Sequence, residues 1–250
     1  MPTPPDQNRL SPQQLIAHRG YQQYFPENSP LAIQKAIEYG AHYIEIDVQF
    51  SSDGIPVLYH DDHLKRISGM AGKLKQYTFS ELSAFSANEP ERLQNQFNEV
   101  KISALQSLVE IIQKNPHIEI LVELKEEATR DYGATFCLQR IHDVLQPVLS
   151  RCILISFDID ALRTAKNHGF TRLGAVLRNW PSRHSIANEL QAEMIICNFL
   201  RIPEKDTLHM ENCRVALYEV DNLTLAHTLL ERGADLIETF TIGKLLGTHD

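Results

Sequence analysis

Short apolar runs alternate with longer amphipathic segments along most of the chain. Apolar runs rich in Ile, Val and Leu are typical of buried strands, and longer runs with an apolar residue at every third or fourth position indicate helices. The pattern predicts strands over residues 14–18, 43–48, 56–60, 118–124, 152–157, 172–177, 194–198, 214–220 and 235–238. It predicts helices over residues 30–39, 104–114, 133–146, 158–168, 183–191 and 222–232.

The alternation of strands and helices predicts a parallel sheet built from right-handed βαβ units. Two similar segments, EYGAHYIE at 38–45 and ERGADLIE at 231–238, each end a helix at glycine and enter a strand. Glycine suits that position because a left-handed helix cap costs it no steric clash. Because about eight such units fit this length, we predict one α/β domain over 1–250 with a (β/α)8 TIM-barrel fold. An open doubly wound sheet is the alternative, although no GxGxxG turn follows the first strand.

Residues 62–103 interrupt this alternation. Segments such as SGMAGK and NEPERLQNQF contain few apolar residues and form no clear βα unit. We therefore predict a small insertion or long loop after the strand that ends at His60. Long loops on barrels commonly contribute to the functional site, and a passive excursion of the chain is the alternative.

Charged side chains occupy alternate positions near the ends of two predicted strands. In YIEIDV, Glu45 and Asp47 share one face, and in VELK, Glu123 and Lys125 do the same. Helices cover the outer face of a parallel barrel, so these side chains are predicted to point inward at the carboxyl ends, where barrel enzymes have their sites. Converging carboxylates repel one another unless a hard divalent cation lies between them. An edge strand with solvated charges is the alternative interpretation.

Two histidines add proton chemistry to this end of the barrel. His18 ends the first predicted strand and His60 ends the third, so both are expected at the same rim. An imidazole exchanges a proton near neutral pH, which suits general acid–base catalysis. A single histidine on a strand is more often a hydrogen-bonded structural residue, but two beside a carboxylate cluster favour a catalytic role.

Arg19 and Lys125 are expected to supply fixed positive charge beside the carboxylates. A guanidinium matches two phosphate oxygens, and an ammonium acts as a point charge. With a metal and two histidines, they provide what transfer at phosphorus requires, namely neutralised charge, a base and an acid. A salt bridge from Arg19 to Glu27 is an alternative compatible with that role. Ser29 and Pro30 predict a helix start, so we interpret Glu27 as a site organiser rather than a ligand.

Composition narrows the class of protein. The formal net charge is -8 and the pI is about 5.8, which argues against a general binder of nucleic acid or anionic membranes. No apolar run approaches the ~18–20 residues of a membrane span, and the polar, Pro-rich start lacks the pattern of a secretory signal. The cysteines are scattered without paired spacing and are predicted to be reduced core thiols. Together these features predict a cytoplasmic protein.

Five short motifs follow one another along the chain. They are AHRG at 17–20, PENSPLA at 26–32, the ExD of YIEIDV, DGIPVLYHDD at 53–62 and LVELK at 121–125. Their order and spacing resemble those of the glycerophosphodiester phosphodiesterase family, and the combination is highly specific. LISF at 154–157 and GADLIE at 233–238 extend the resemblance over essentially the full chain.

The resemblance implies a fold and a cofactor. The family has a TIM barrel with a segment inserted after the second strand region, which residues 62–103 would match. By resemblance, Glu45, Asp47 and Glu123 hold one divalent cation, Mg²⁺ or Ca²⁺.

The resemblance also implies a reaction. His18 and His60 would act as the general acid–base pair, while Arg19 and Lys125 contact the phosphate. One histidine would help water or the glycerol 2-hydroxyl attack phosphorus, and the other would protonate the departing alcohol. The substrate would be a small glycerophosphodiester, and the products an alcohol and sn-glycerol 3-phosphate.

Two positions depart from the family pattern, both at the mouth where the glycerol end is expected. Near the seventh strand the family usually has a WTVN-like string, where this chain has LYEVD with Tyr218 and Glu219. Near the last strand a TD pair is common, and this chain has Thr239 and Phe240. Tyr218 is expected to contribute to the substrate-binding wall, and core packing is the alternative.

Two other functions are weighed against this one. A phospholipase-D-like or cyclising enzyme acting on lysolipids would need an apolar, membrane-facing entrance, and the acidic composition without an amphipathic anchor argues against it. A non-catalytic barrel that binds phosphodiesters would not need an acid–base pair such as His18 and His60.

Overall fold

A computed structural model describes residues 9–248. The first eight and last two residues of the predicted 1–250 domain, including most of the Pro-rich start, lie outside this range. The strands are β1 Leu15–Ala17, β2 Tyr43–Phe50, β3 Pro56–Leu58, β4 Glu119–Leu124, β5 Cys152–Ser156, β6 Leu173–Leu177, β7 Met194–Asn198, β8 Arg214–Tyr218 and β9 Leu236–Thr239. The α-helices are α1 Pro30–Glu38, α2 Lys65–Ser68, α3 Phe79–Leu82, α4 Pro90–Leu93, α5 Ser107–Lys114, α6 Glu126–Tyr132, α7 Ala134–Leu145, α8 Ile159–Ala165, α9 Arg183–Leu190, α10 Leu223–Glu231 and α11 Ile242–Leu246.

Parallel strands close into a barrel. The ring runs β1-β2-β4-β5-β6-β7-β8-β9, and β1 closes it by pairing with both β2 and β9. α-Helices connect most successive strands along the outside, as the right-handed crossover requires, and a short 3-10 turn lies between β7 and β8. The predicted TIM barrel is therefore confirmed. The doubly wound alternative is wrong, because an open sheet would leave two unpaired edges.

One predicted strand lies outside the barrel. β3 pairs antiparallel with β2, with Val48 opposite Leu58. The intervening residues 51–55 are too few for a parallel crossover, which needs about a dozen or more residues. They form a tight turn in which the Ser51 hydroxyl accepts a hydrogen bond from the Ile55 N–H at 3.0 Å. β3 ends at Leu58, so the prediction that His60 ends a strand is wrong, and His60 lies in the following loop.

Alternate residues of the barrel strands enter two separate apolar layers. On β2, Ile44 and Ile46 pack between the barrel and its helices. Tyr43 faces the barrel interior together with apolar residues of the other strands. Glu45 and Asp47 alternate with the outward-facing residues, so they lie on the interior face, as the strand period predicts.

The segment predicted as an insertion or long loop, 62–103, has its own apolar cluster. It contains the short helices α2, α3 and α4, which surround the cluster. Its buried members, with two from the chain around β3, are Val57, Tyr59, Leu64, Ile67, Leu74, Leu82, Ala87 and Ile102. Because Val57 and Tyr59 belong to this cluster, the segment has a fixed position beside the start of the loop that carries His60.

Two compositional predictions can be compared with the structure. All the cysteines are buried and free, which confirms that they are core thiols. Within the part of the chain that the structure describes, no helix combines the length and the apolar character needed to cross a membrane.

The loop between β1 and α1 folds back tightly onto the helix. Helix α1 begins as predicted, with Pro30 in its first turn and the Ser29 hydroxyl accepting a hydrogen bond from the Ala32 N–H. Gly20 has a φ of +81°, and a Cβ placed on it would lie 2.7 Å from the carbonyl carbon of Ala32. This close backbone approach determines where the preceding Arg19 side chain starts.

We predict that Gly20→Ala destabilises the protein more than Gly69→Ala does. Both positions have positive φ, which costs a residue with a Cβ about 1–2 kcal/mol. At Gly69 the nearest atom to an added Cβ is a Pro90 side-chain carbon at 3.5 Å, an ordinary contact. Only Gly20→Ala must also displace backbone atoms. Urea unfolding measures both losses, and equal losses would contradict the close-packing argument.

Candidate active site

Three carboxylates converge inside the barrel near the carboxyl ends of two neighbouring strands. Glu45 and Asp47 lie on β2 and Glu123 on β4, and the strand register places Asp47 directly beside Glu123. One carboxylate oxygen of each residue lies within 4.8 Å of the others. All three side chains are buried. Neighbouring strands thus bring together the carboxylates that the sequence predicts to share a face.

Two cations lie against these carboxylates. The Arg19 Nε is 3.1 Å from Asp47 Oδ2. The Lys125 Nζ is 3.2 Å from Asp47 Oδ1 and 2.8 Å from Glu123 Oε1. Asn28 donates a further hydrogen bond from its side chain to Asp47 Oδ2 at 2.8 Å. Asp47 therefore holds three polar partners, which balance its charge in a buried position.

The carboxyl groups differ in how well their charges are compensated. Burial alone would raise the pKa of Asp47, but the charges of Lys125 and Arg19 hold that pKa well below its usual range. Burial and the nearby charge of Asp47 raise the pKa of Glu45 well above its ordinary value. Glu45 Oε1 is buried and has no hydrogen-bond partner in the described part of the protein. Glu45 is thus the carboxylate with most to gain from an added cation.

His18 lies on the same rim, against a further carboxyl group. Its Nε2 is 3.4 Å from Glu238 Oε1 and 3.8 Å from Glu45 Oε2. The ring of Phe240 stacks on the imidazole with the centroids 4.6 Å apart. Burial, together with the charge of Arg19, lowers the pKa of His18 well below its usual value, so the imidazole is neutral at pH 7.

His60 reaches the same cavity from the loop after β3. Its Nδ1 is 2.7 Å from Asp61 Oδ1, which fixes Nδ1 as the donor when Asp61 is ionised and leaves Nε2 for another partner. Arg66 donates two hydrogen bonds to Asp61, at 2.8 and 2.7 Å. Asp61 therefore holds the imidazole of His60, and Arg66 on α2 holds Asp61.

Glu27 lies apart from the three converging carboxylates. It accepts hydrogen bonds from Arg19 at 3.1 Å and from Arg66 at 2.8 and 2.9 Å. Gln22 donates another at 2.7 Å. The predicted Arg19–Glu27 salt bridge therefore coexists with the contact between Arg19 and Asp47. With its side-chain oxygens engaged in this way, Glu27 is positioned to orient Arg19.

Glu123, both histidines and both cations line a cavity of about 190 Å³. It is lined on one side by both histidines and both cations, and on the other by apolar residues of the later strands. Tyr218 lies at this second side, beside Glu219 and Glu238. Glu219 has a φ of +66°, and its Oε2 accepts a hydrogen bond from Asn198 at 3.0 Å. Tyr218 thus reaches the predicted pocket wall while also packing against the interior cluster.

Sequence reasoning missed several residues of this site. Glu238 lies on β9, two residues after the inward-facing Leu236. The alternation of side chains along a strand, which predicts that Glu45 points inward, therefore predicts the same for Glu238. Asp61 follows His60 directly but was given no role. Arg66 lies in a segment without regular elements, and no local pattern indicates that it reaches Glu27.

Among residues 9–248, two groups of side chains have spacings suited to a metal ion. One is the predicted set of Glu45, Asp47 and Glu123, and the other consists of His18, Glu45 and Glu238. Only the first has an all-oxygen donor set, which hard cations such as Mg²⁺ and Ca²⁺ prefer. The buried Glu45 Oε1, which has no hydrogen-bond partner among the described residues, fits the role of a cation ligand in that set.

We predict that Glu238→Gln stabilises the metal-free protein at alkaline pH. Burial and the charge of Glu123 raise the pKa of Glu238 to about 8, from 4.5 in an exposed chain. The folded state therefore holds a proton that the unfolded state has lost, and wild-type stability falls as pH rises from about 4.5 to 8, by up to about 1.4 kcal/mol per pH unit. Glutamine removes the contribution of Glu238 to this dependence.

Urea unfolding in a chelating buffer at pH 4.5 and pH 8.5 measures the difference. The variant should gain little at pH 4.5 and most at pH 8.5. A gain of the same size at both pH values would show that the carboxyl group is not protonated in the folded state.

Curated relatives match about half of the chain. Bovine glycerophosphodiester phosphodiesterase 1 is 34% identical over 143 residues, which cover 57% of this chain and 42% of the relative. A glycerophosphodiester phosphodiesterase from Bacillus altitudinis is 34% identical over 119 residues, 48% of each protein. The chain therefore matches less than half the length of these relatives.

The fold and the family are also matched over nearly the whole chain. The solved structure of an Oleispira antarctica phosphodiesterase in complex with the product sn-glycerol-3-phosphate is 23% identical, with a TM-score of 0.82 over 94% of this chain and 96% of the other. At that identity the likeness establishes the fold. The model of the glycerophosphoryl diester phosphodiesterase family matches residues 18–242, which include the five sequence motifs except Ala17 of AHRG. This chain is a member of the glycerophosphoryl diester phosphodiesterase family.

Proposed function

We propose that this protein, as a single barrel domain with its 62–103 insertion, hydrolyses small glycerophosphodiesters to an alcohol and sn-glycerol 3-phosphate. The observation that carries the proposal is the convergence of Glu123, two cations and two histidines on one cavity, with Glu45 and Asp47 grouped beside Glu123, in a member of this family. The product named for the Oleispira antarctica protein supports the same chemistry. A barrel that only binds phosphodiesters would have no use for two imidazoles at the reacting position.

Glu45, Asp47 and Glu123 would hold one divalent cation, Mg²⁺ or Ca²⁺. The oxygen donors and the unpartnered Glu45 Oε1 support this assignment. When bound, the cation would act as a Lewis acid that neutralises charge on the phosphate oxygens.

Arg19 and Lys125 would contact the phosphate of the substrate. Both side chains line the cavity, and both are paired with Asp47, so their positions are fixed before substrate binds. Preorganised charge of this kind stabilises a transition state without the cost of reorganising solvent. Glu27 orients Arg19 by accepting a hydrogen bond from its guanidinium.

His18 and His60 would transfer the protons. A neutral His18 is suited to accept a proton from the attacking water or glycerol 2-hydroxyl. His60 has Nδ1 engaged by Asp61 and therefore has Nε2 available to deliver a proton to the departing alcohol. In this division, the buried His18 is the base and His60, in the loop after β3, is the acid.

The glycerol end of the substrate would lie toward Tyr218. Tyr218, Glu219 and Glu238 line that side of the cavity. Carboxylate oxygens accept hydrogen bonds from hydroxyl groups, so they suit a polyol. The tyrosine ring would cover the apolar face of the glycerol carbons.

We predict that the purified protein releases glycerol 3-phosphate from glycerophosphocholine only when a divalent cation is present. An enzyme-coupled glycerol 3-phosphate assay, run with EDTA and after re-addition of Mg²⁺ or Ca²⁺, measures this. Equal turnover in EDTA would rule out the carboxylate site as a metal centre. Cleavage of lysophosphatidylcholine without cleavage of glycerophosphocholine would instead support the lysolipid alternative.

We predict that His18→Ala and His60→Ala each lower kcat by about 10²–10⁴-fold, the usual contribution of a general acid or base. His117→Ala is the matched control, because His117 is exposed and precedes β4 at the opposite end of the barrel. The control should retain wild-type kcat. A loss below tenfold for both site variants would overturn the proton-transfer roles.

A further inference from the structure

The guanidinium of Arg66 joins two acidic residues from different parts of the chain. Its Nη1 and Nη2 donate to the carboxylate of Glu27 at 2.8 and 2.9 Å. Its Nε and Nη2 donate to the carboxylate of Asp61 at 2.8 and 2.7 Å. Four of the five guanidinium N–H groups are thus used in two forked contacts, a geometry that a lysine ammonium cannot reproduce.

Each acidic partner of Arg66 in turn holds a residue of the proposed reaction. Glu27 Oε1 accepts a hydrogen bond from Arg19, whose Nε lies beside Asp47. Asp61 Oδ1 lies 2.7 Å from the Nδ1 of His60. A continuous chain of charged contacts therefore runs from the phosphate-binding cation to the loop imidazole, with Arg66 at its centre.

Arg66 is itself held in place by the apolar cluster of the 62–103 segment. It lies on α2 between Leu64 and Ile67, both of which are buried in that cluster. The Tyr59 hydroxyl donates to the Leu64 carbonyl at 3.2 Å, which ties the helix start to the chain leading to His60. Because the backbone of Arg66 is fixed by this packing, its guanidinium can hold Glu27 and Asp61 in defined positions.

The loop that carries Glu27 is held in place by further contacts. Glu89 accepts a hydrogen bond from the Glu27 N–H at 2.8 Å. Arg92 pairs with Glu89 and donates to the carbonyl oxygens of Gln22 and Phe25. The loop that carries Glu27 is therefore held by the 62–103 segment independently of Arg66, so removing the Arg66 fork need not release that loop.

We propose that Arg66 is a positioning residue that orients His60, through Asp61, and Arg19, through Glu27. The inference rests on the proposed function, since it assigns Arg66 to the same reaction. His60 lies in a loop and half-exposed, with Asp61 holding its Nδ1. Asp61 is held on the other side by Arg66, so loss of the fork frees the carboxylate and the imidazole to rotate together.

The ionisation of Asp61 agrees with this arrangement. Burial alone would raise the pKa of Asp61, but hydrogen bonds from His60 and Arg66 hold that pKa well below its usual range. An ionised carboxylate can only accept, so the proton between the two side chains belongs to the His60 Nδ1. In the neutral imidazole of His60, Nε2 therefore carries no proton. In the protonated imidazole, Nε2 carries a proton that it can donate.

The test compares Arg66→Lys, which keeps the charge but loses the fork, with Lys65→Met as a control. Lys65 is an exposed basic neighbour on the same helix turn. With ¹⁵N-labelled histidine and Mg²⁺ present, the wild type should show a downfield Nδ1–H resonance that disappears in His60→Ala. Arg66→Lys should lose that resonance, and Lys65→Met should retain it. Retention of the resonance in Arg66→Lys would overturn the proposal.

Turnover of glycerophosphocholine provides the second measurement. A misplaced catalytic group costs about 10²-fold, so Arg66→Lys should lower kcat by about that factor. In the His60→Ala background the same change should cost less than about threefold, because residues that act as a unit are non-additive. If Arg66 only stabilised the fold, Arg66→Lys would lower the melting temperature, and its loss of kcat would multiply with that of His60→Ala. That result would contradict the positioning role.

Asp61→Asn tests the other arm without touching Arg66. It should lose the resonance and reduce kcat to a similar extent, and wild-type behaviour would overturn the proposal even if Arg66→Lys fails to fold. The resonance is measured without substrate. If the protein turns over no glycerophosphodiester at all, the proposed function fails while the positioning of His60 is still decided.

Discussion

The structure depends on a balance of charge inside an otherwise apolar barrel. The buried Lys125 and the largely buried Arg19 are outnumbered by buried carboxyl groups, namely Glu27, Glu45, Asp47, Glu123 and Glu238. Removing an ion from water costs several kcal/mol unless partners compensate it. Arg19 and Lys125 satisfy Asp47, and the remaining negative charge makes the cavity a place where a divalent cation is favoured. Under the proposed function, a bound cation would offset this charge and let an anionic ester enter the cavity.

The antiparallel excursion after β2 gives the site its second imidazole. If β3 were a parallel barrel strand, His60 would lie at the carboxyl end of that strand. Because β3 runs antiparallel to β2 and ends at Leu58, His60 reaches the site from a loop. A loop needs support that a strand obtains from its neighbours, and Asp61 and Arg66 provide it here. The apolar cluster under 62–103 explains why that segment is ordered although it lacks long helices. The segment therefore belongs to the site as well as to the surface.

The last strands of the barrel differ in character from the first. β2 and β4 supply the charged, tightly paired side of the cavity, whereas Tyr218 and apolar residues of the later strands form the opposite wall. Glu238 and Phe240 both contact His18, one through its carboxyl group and one through its ring. Of the positions that depart from the family pattern, Phe240 stacks on His18, and Tyr218 and Glu219 line the same cavity.

The sequence by itself determined the barrel and the inward carboxylates, because strand period and βα alternation are local properties. It placed Glu45, Asp47 and Glu123 correctly relative to their strands, and the family motifs named the residues around them. Only the tertiary structure decided the direction of β3 and the role of Arg66, since neither follows from a repeating pattern. The contact between Arg66 and Glu27 joins residues 39 positions apart. Such contacts depend on how separate elements pack, and no periodicity within either segment encodes them.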